Sequence, residues 1–103
     1  MAIMQITVIP LGTGSSSVGN YIADIERFLQ KKGVEHSLHD MGTIIAGSTR
    51  ELLLLAENIH HLPFKTGAKR VVTNITLDER IDIERALGDK QKSVHNRLQE
   101  LEV

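Results

Sequence analysis

From Ile3 to Pro10 the chain alternates: Met4, Ile6 and Val8 fall on one side of an extended backbone, and Gln5 and Thr7 on the other. A period of two predicts a half-buried strand over 3–10. Pro10, with no N–H to give to a ladder, predicts its end. After the loop "LGTGSSS" the period changes. Val18, Tyr21, Ile22, Ile25, Phe28 and Leu29 recur every three to four residues, which predicts a helix over 18–32 with one apolar stripe. Ser17 is placed to cap its start, and Gly33 to supply a left-handed residue just past its end. Two short strands, "VEHSLHD" and "TIIAG", follow within 34–47 and meet at Met41-Gly42 as a hairpin.

Ser48 and Glu51 have capping-box spacing, so a second helix opens there. Its stripe is Leu52, Leu55, Ala56 and Ile59, and Pro63 predicts its end. "KRVVTNITLD" reads as a strand with Val71, Thr73, Ile75 and Leu77 on one side and Arg70, Val72, Asn74 and Thr76 on the other. The polar segment "ERIDIERALGD" has no clear period, whereas Val94, Leu98 and Leu101 predict a helix over 90–101. This order is that of an α+β, ferredoxin-like βαββαβ sandwich with an extra C-terminal helix, forming one domain over 1–103. Both crossover helices then lie on one face of the sheet. The other face is left bare and carries Gln5, Thr7, Arg70, Val72, Asn74 and Thr76. Short polar side chains interleaved with valine suit a subunit interface or a lined pocket; a solvated face is the plain alternative.

Composition narrows the function. Aromatic residues make up 3% of the chain, and Lys plus Arg is 12 against 13 for Asp plus Glu. A net charge of −1 gives no basic footprint for phosphate, and three aromatics give no stacking platform, so nucleic acid is not an expected partner. The absence of cysteine excludes disulfides, thiolate metal sites and cysteine nucleophiles. The longest apolar run, "LLLLA", is far shorter than the ~20 residues of a membrane span, and the N-terminus lacks the pattern of a signal peptide. A cytoplasmic protein is the expectation.

Candidate chemistry is sparse. "PLGTGSSSVG" joins a strand to a helix start, where backbone N–H groups favour an anion, but the lysine of a phosphate loop and the third glycine of a dinucleotide loop are missing. A serine-capped turn is the plain reading, with a hydroxyl site at Ser16 and Ser17 beside it. The histidines His36, His39, His60, His61 and His95 lack zinc-pair spacing, so no metal is expected. Asp78, Glu79, Asp82 and Glu84 interleave with Arg80 and Arg85 as a solvated ion-pair loop would, and no nucleophile–base order is present. No catalytic residue and no cofactor is assigned.

Taken together, "PLGTGSSSV", "MGTIIAGS", "IHHLPFKTGAKRVVT" and "LDERIDIERALGDKQKSV" resemble the thiamine-binding protein family, the YkoF-like group of small ferredoxin-like domains. The resemblance spans nearly the whole chain. It implies a non-enzymatic, oligomeric binder of thiamine or its hydroxymethylpyrimidine half, used in sequestration or delivery, with sites near subunit contacts of a dimer or of a dimer of dimers. Carried over, Leu11, Gly12 and Thr13 match the strand-end loop, and Gly42 and Thr43 the hairpin bordering the pocket, with Ile45 beside them. His60, Arg70 and Arg80 match further polar positions, with Lys90 and Val94 in the late helix. In that setting Gly42 permits a tight hairpin, and Thr43 offers a hydroxyl and an N–H to a small ring.

Where the family often has Glu-Gly-Glu, this chain has Ala46-Gly47-Ser48, and Ile83 replaces a usual lysine. A carboxylate is the natural partner of an aminopyrimidine, and Ala46 cannot serve as one. Either another acceptor takes its place, or the ligand differs, or binding has weakened. The alternative function is a regulatory or structural oligomer with an altered pocket; a small-molecule enzyme is a third class that the fold alone leaves open.

Overall fold

The computed structural model describes residues 1–14, 19–84 and 86–101. The elements in chain order are β1 (Ala2–Leu11), α1 (Gly19–Lys32), β2 (His36–His39), β3 (Gly42–Gly47), α2 (Thr49–Lys65), β4 (Arg70–Glu79) and α3 (Asp89–Leu101). The strands form one antiparallel sheet in the order β2-β3-β1-β4. Each crossover helix therefore links two strands with a third between them, which is the ferredoxin-like split βαβ arrangement, with α3 appended. The expected cap Ser17 and first stripe residue Val18 lie outside the described residues.

The core forms where the two periodicities meet. Met4 and Ile6 from β1 and Ile45 from β3 point at Ile25 and Leu29 of α1 and at Leu52, Leu55, Ala56 and Ile59 of α2. Met4, Leu29, Ile45, Leu52 and Ile59 are almost wholly buried, each contributing about 1.5–3 kcal/mol by leaving water. Gly33 ends α1 at φ +67°, with its N–H donating to the Leu29 carbonyl at 3.1 Å. Ser48 caps α2 by accepting from the Glu51 N–H at 3.1 Å.

Two expected ends move. β1 continues through Pro10 to Leu11, paired with Val71 and Arg70 of β4. β3 left β1 at the Ile6–Thr43 pair, so Pro10 has a strand on one side alone and its missing N–H breaks no ladder bond. α2 likewise runs past Pro63 to Lys65. Pro63 sits buried in the last turn, where its carbonyl accepts from the N–H groups of Thr66 and Ala68.

The second face carries the expected side chains, because Gln5 opposes Thr76, Thr7 opposes Asn74 and Ile9 opposes Val72. It is not wholly bare. α3 stands over its Ile3–Ile44 corner, leaving a groove of about 600 Å³ lined also by Leu87, Val94 and Leu98. Every described side chain from Asp89 to Glu100 is exposed, so α3 stands off the domain. The radius of gyration, 16.1 Å, exceeds the ~13 Å of a compact chain of this length.

α1 and β2 are tied by a titratable pair. His36 Nδ1 lies 2.8 Å from the Val34 carbonyl and Nε2 2.8 Å from Glu26 Oε1. Both partners are acceptors, so the ring satisfies them together when both nitrogens carry protons. The Val34 carbonyl first, then Glu26, raise the His36 pKa above 6.5 against the opposing effect of burial. A raised folded pKa means the added stability is complete below about pH 6.5 and is lost as pH rises through the folded value. Thermal melts should show the wild type losing stability relative to His36→Asn as pH rises from ~6 to ~8. Parallel curves would contradict the assignment.

Candidate functional site

β1 and β3 separate beyond Ile6 and Thr43, while β1 stays paired with β4 to Leu11. The sheet therefore opens in a V whose arms are Thr7–Pro10 and the β2–β3 hairpin. The opening forms a cleft of about 250 Å³. Ile22 and Ile25 of α1 and Ile59 of α2 close its floor, and Leu38, His39, Asp40 and Met41 form the hairpin wall with Gly42 and Thr43. The outward half of the α1 stripe is explained here: Ile22 is 38% exposed because it faces the cleft, not because it left the core. Along β1, alternate backbone N–H and C=O groups past the parting point face the opening, since β3 no longer takes them.

The tip of the hairpin is tied to β1 by a short link. Its turn is Asp40-Met41, and the Thr7 hydroxyl donates to the Met41 carbonyl at 2.8 Å. Gly42 thus serves a different purpose from the expected tight turn. A Cβ there would lie 2.7 Å from Thr7 Oγ1 and 2.9 Å from the Ile6 carbonyl, and its φ is +152°. Glycine lets β1 and the hairpin approach at the apex of the V. Thr43, opposite Ile6, is 6% exposed, and its side chain joins the cleft lining. Asp40, exposed at the rim, is the acidic side chain of the cleft among the described residues; His39 beside it has Nε2 2.9 Å from Ser37 Oγ. No Lys or Arg belongs to the described lining.

The sequence-assigned residues divide among several places. Gly42 and Thr43 line the cleft. Leu11, Gly12 and Thr13 continue β1 just past the cleft residue Pro10, and Arg70 is the register partner of Leu11. Ser16 and Ser17 lie outside the described residues. Ile45 is core at 0% exposure, and Ala46, 4% exposed, opposes Ile3 on the face away from α1 and α2. His60 Nδ1 lies 2.6 Å from Thr73 Oγ1 in a separate groove between α2 and β4. Arg80, beyond the other end of β4, forms a forked pair with Asp82 at 2.9 and 2.6 Å. Lys90 and Val94 line the α3 groove. Sequence reasoning passed over Asp40, Ile22 and the Thr7–Pro10 edge; Asp40 adjoins the assigned Gly42-Thr43 pair, but nothing local marks it as more than a turn residue. No group of three metal-ligating side chains occurs among the described residues.

Fold and cleft together define a small ferredoxin-like α+β domain with a ring-sized, mostly apolar recess at the open end of its sheet. The chain belongs to the thiamine-binding protein family, whose model matches residues 4–95. It is 40% identical to the UPF0045 protein YqgV of Bacillus subtilis, over 96% of this chain and 99% of that protein. The solved structure of MJ1052 from Methanocaldococcus jannaschii, 28% identical, superposes with a TM-score of 0.80 over 91% of this chain and 95% of that one. A candidate thiamine biosynthesis/salvage protein of Thermotoga maritima, 15% identical, shares the fold at a TM-score of 0.75 over 90% and 97% of the two chains.

The apex of the V sets a stability test. Gly42→Ala should cost about 1–3 kcal/mol in denaturant unfolding, as overpacking against fixed backbone does. Adding Thr7→Ala should return part of that loss, because one of the two close contacts is the Thr7 hydroxyl. An unchanged stability in Gly42→Ala would contradict the close approach.

Proposed function

We propose that the cleft binds thiamine, or its hydroxymethylpyrimidine half, without turnover, in a cytoplasmic homo-oligomer that sequesters or delivers the compound. The observation that carries this reading is the pairing of an apolar, ring-sized recess with one carboxylate, Asp40, at its rim. At about 250 Å³ the recess falls just below the ~300 Å³ low end of ordinary ligand pockets, which suits one or two small rings. Val8, Ile22 and Leu38 offer apolar contact to a ring face. Asp40 can accept from an exocyclic amine or share a ring-nitrogen proton, the task for which Ala46 has no group. A lining without Lys or Arg among the described residues favours the unphosphorylated compound over its phosphate esters. Family membership supports the same ligand class.

Calorimetric titration of thiamine and of hydroxymethylpyrimidine into wild type and Asp40→Asn tests the reading. A hydrogen bond to a charged group contributes about 1.5–3 kcal/mol, so the Asn form should bind roughly 10- to 150-fold more weakly. Thiamine diphosphate should bind more weakly than thiamine. Equal affinity in the two forms would remove Asp40 from the site. Absence of binding by the wild type would leave the regulatory oligomer as the better account.

A further inference from the structure

We propose that the backbone of Val8 reads the edge of the bound ring, and that Pro10, by withholding an N–H, decides which ring is accepted. The inference rests on the ligand class proposed above and names the feature that the cleft selects. That feature is a ring nitrogen beside an amino-bearing carbon, N=C–NH2; the oxo counterpart, HN–C=O, is excluded.

The ladder settles which backbone groups face the cleft. In an antiparallel sheet the N–H and C=O of one residue point to the same neighbour, and successive residues alternate. The Ala46 N–H donates to the Glu35 carbonyl at 3.0 Å, so Ala46 turns toward the β2 side. Ile45 and Thr43 then turn toward β1, where they meet Met4 and Ile6. Counting on by twos, Val8 and Pro10 face the same way, into the V. Pro10 gives the same answer independently: it can pair with Val71 without breaking the ladder because its nitrogen points away from β4. Past Ile6 the β1 arm thus presents three groups to the cleft, which are Val8 N–H, Val8 C=O and Pro10 C=O. Among the described residues no backbone group takes the Val8 pair. Val8 is half-buried and Pro10 buried, where unpaired backbone groups are costly.

One donor beside one acceptor matches an aminoheterocycle, whose ring nitrogen accepts and whose amino group donates. The order along the strand gives the match a direction. Val8 N–H lies nearer the closed end of the V, at Ile6 and Thr43, and Val8 C=O nearer its mouth. The ring nitrogen therefore goes inward. The amino group and any substituent on the next ring carbon go outward, leaving the second amino hydrogen for Asp40 at the rim. The oxo form has the reverse pattern and must turn over to use Val8. That drives its oxygen and the neighbouring substituent into the apex, where even a Cβ on Gly42 would lie 2.9 Å from the Ile6 carbonyl. One step outward would suit it, with Val8 C=O taking the ring N–H and an N–H at position 10 serving the oxygen. Proline has no such N–H. The same gap spoils the arm as a template for an added peptide strand, which needs donors and acceptors to alternate.

Thiamine carries the amino edge, and oxythiamine, with an oxo group in place of the amine, carries the other. Calorimetric titration of the wild type should show thiamine bound at least about tenfold more tightly, as a buried donor left unpaired requires. Asp40 adds to that preference, so the separating variant is Pro10→Ala. By restoring an N–H at position 10 it should bind oxythiamine about tenfold more tightly than the wild type does, a gain that misfolding cannot produce. In the wild type, saturation with thiamine should move the Val8 amide proton downfield and slow its exchange with solvent. Binding of neither compound by the wild type would overturn the ligand class and this inference together. Thiamine binding with the Val8 amide proton unmoved, or a folded Pro10→Ala protein with no gain for oxythiamine, would overturn the reading by Val8 and Pro10 alone.

Discussion

The structure depends on one asymmetry in the pairing of its central strand. β1 holds β4 as far as Leu11 but releases β3 after Ile6. Everything proposed about binding follows from that divergence. It exposes a strip of β1 backbone between two arms of the sheet, lets Ile22 look into a recess, and carries the hairpin with Asp40 to the rim. The divergence is fixed locally. Thr7 holds the Met41 carbonyl across the gap, and Gly42 removes the side chain that would otherwise force β1 and the hairpin apart. A hydroxyl and a missing methyl group thus set the width of the site.

Much of the fold was legible because its information is local. The period of β1, the stripes of α1 and α2, the Ser48 cap and the Gly33 stop each follow from neighbours within a turn or two, and all are present. The two misplaced ends have different causes. Pro10 lies where β3 has already ended, so its missing N–H breaks no ladder bond. Pro63 gives up a bond to the Ile59 carbonyl and is kept in the last turn while buried in the core. Where a partner strand departs is a long-range fact that no local pattern carries. The same holds for the site: Gly42 and Thr43 were found through their motif, whereas Asp40 becomes significant once the register places the hairpin against α1 and β1. His60 and Arg80 belong to the motif but line separate grooves, not the cleft.

Chemically, the recess suits a neutral or cationic heteroaromatic better than an anion. Its walls are isoleucine, proline and leucine, its charged rim group is a carboxylate, and no basic side chain belongs to its described lining. Asp40 brings a carboxylate to the recess from the hairpin, whereas Ala46 opposes Ile3 elsewhere on the sheet. The α3 groove is the competing location, larger and lined by Ile3, Ile44, Val94 and the matched residue Lys90. Its lining helix stands exposed along its length, so it offers a less fixed set of contacts than the V of the sheet.

The measurement that separates the two locations most directly is a backbone and methyl NMR titration of the wild-type protein with thiamine. The account expects saturable shifts at Thr7, Val8, Ile9, Ile22, Asp40 and Thr43, with Ile3, Val94 and Leu98 unmoved. Shifts concentrated at Ile3, Ile44, Val94 and Leu98, with the β1 edge and hairpin silent, would contradict it.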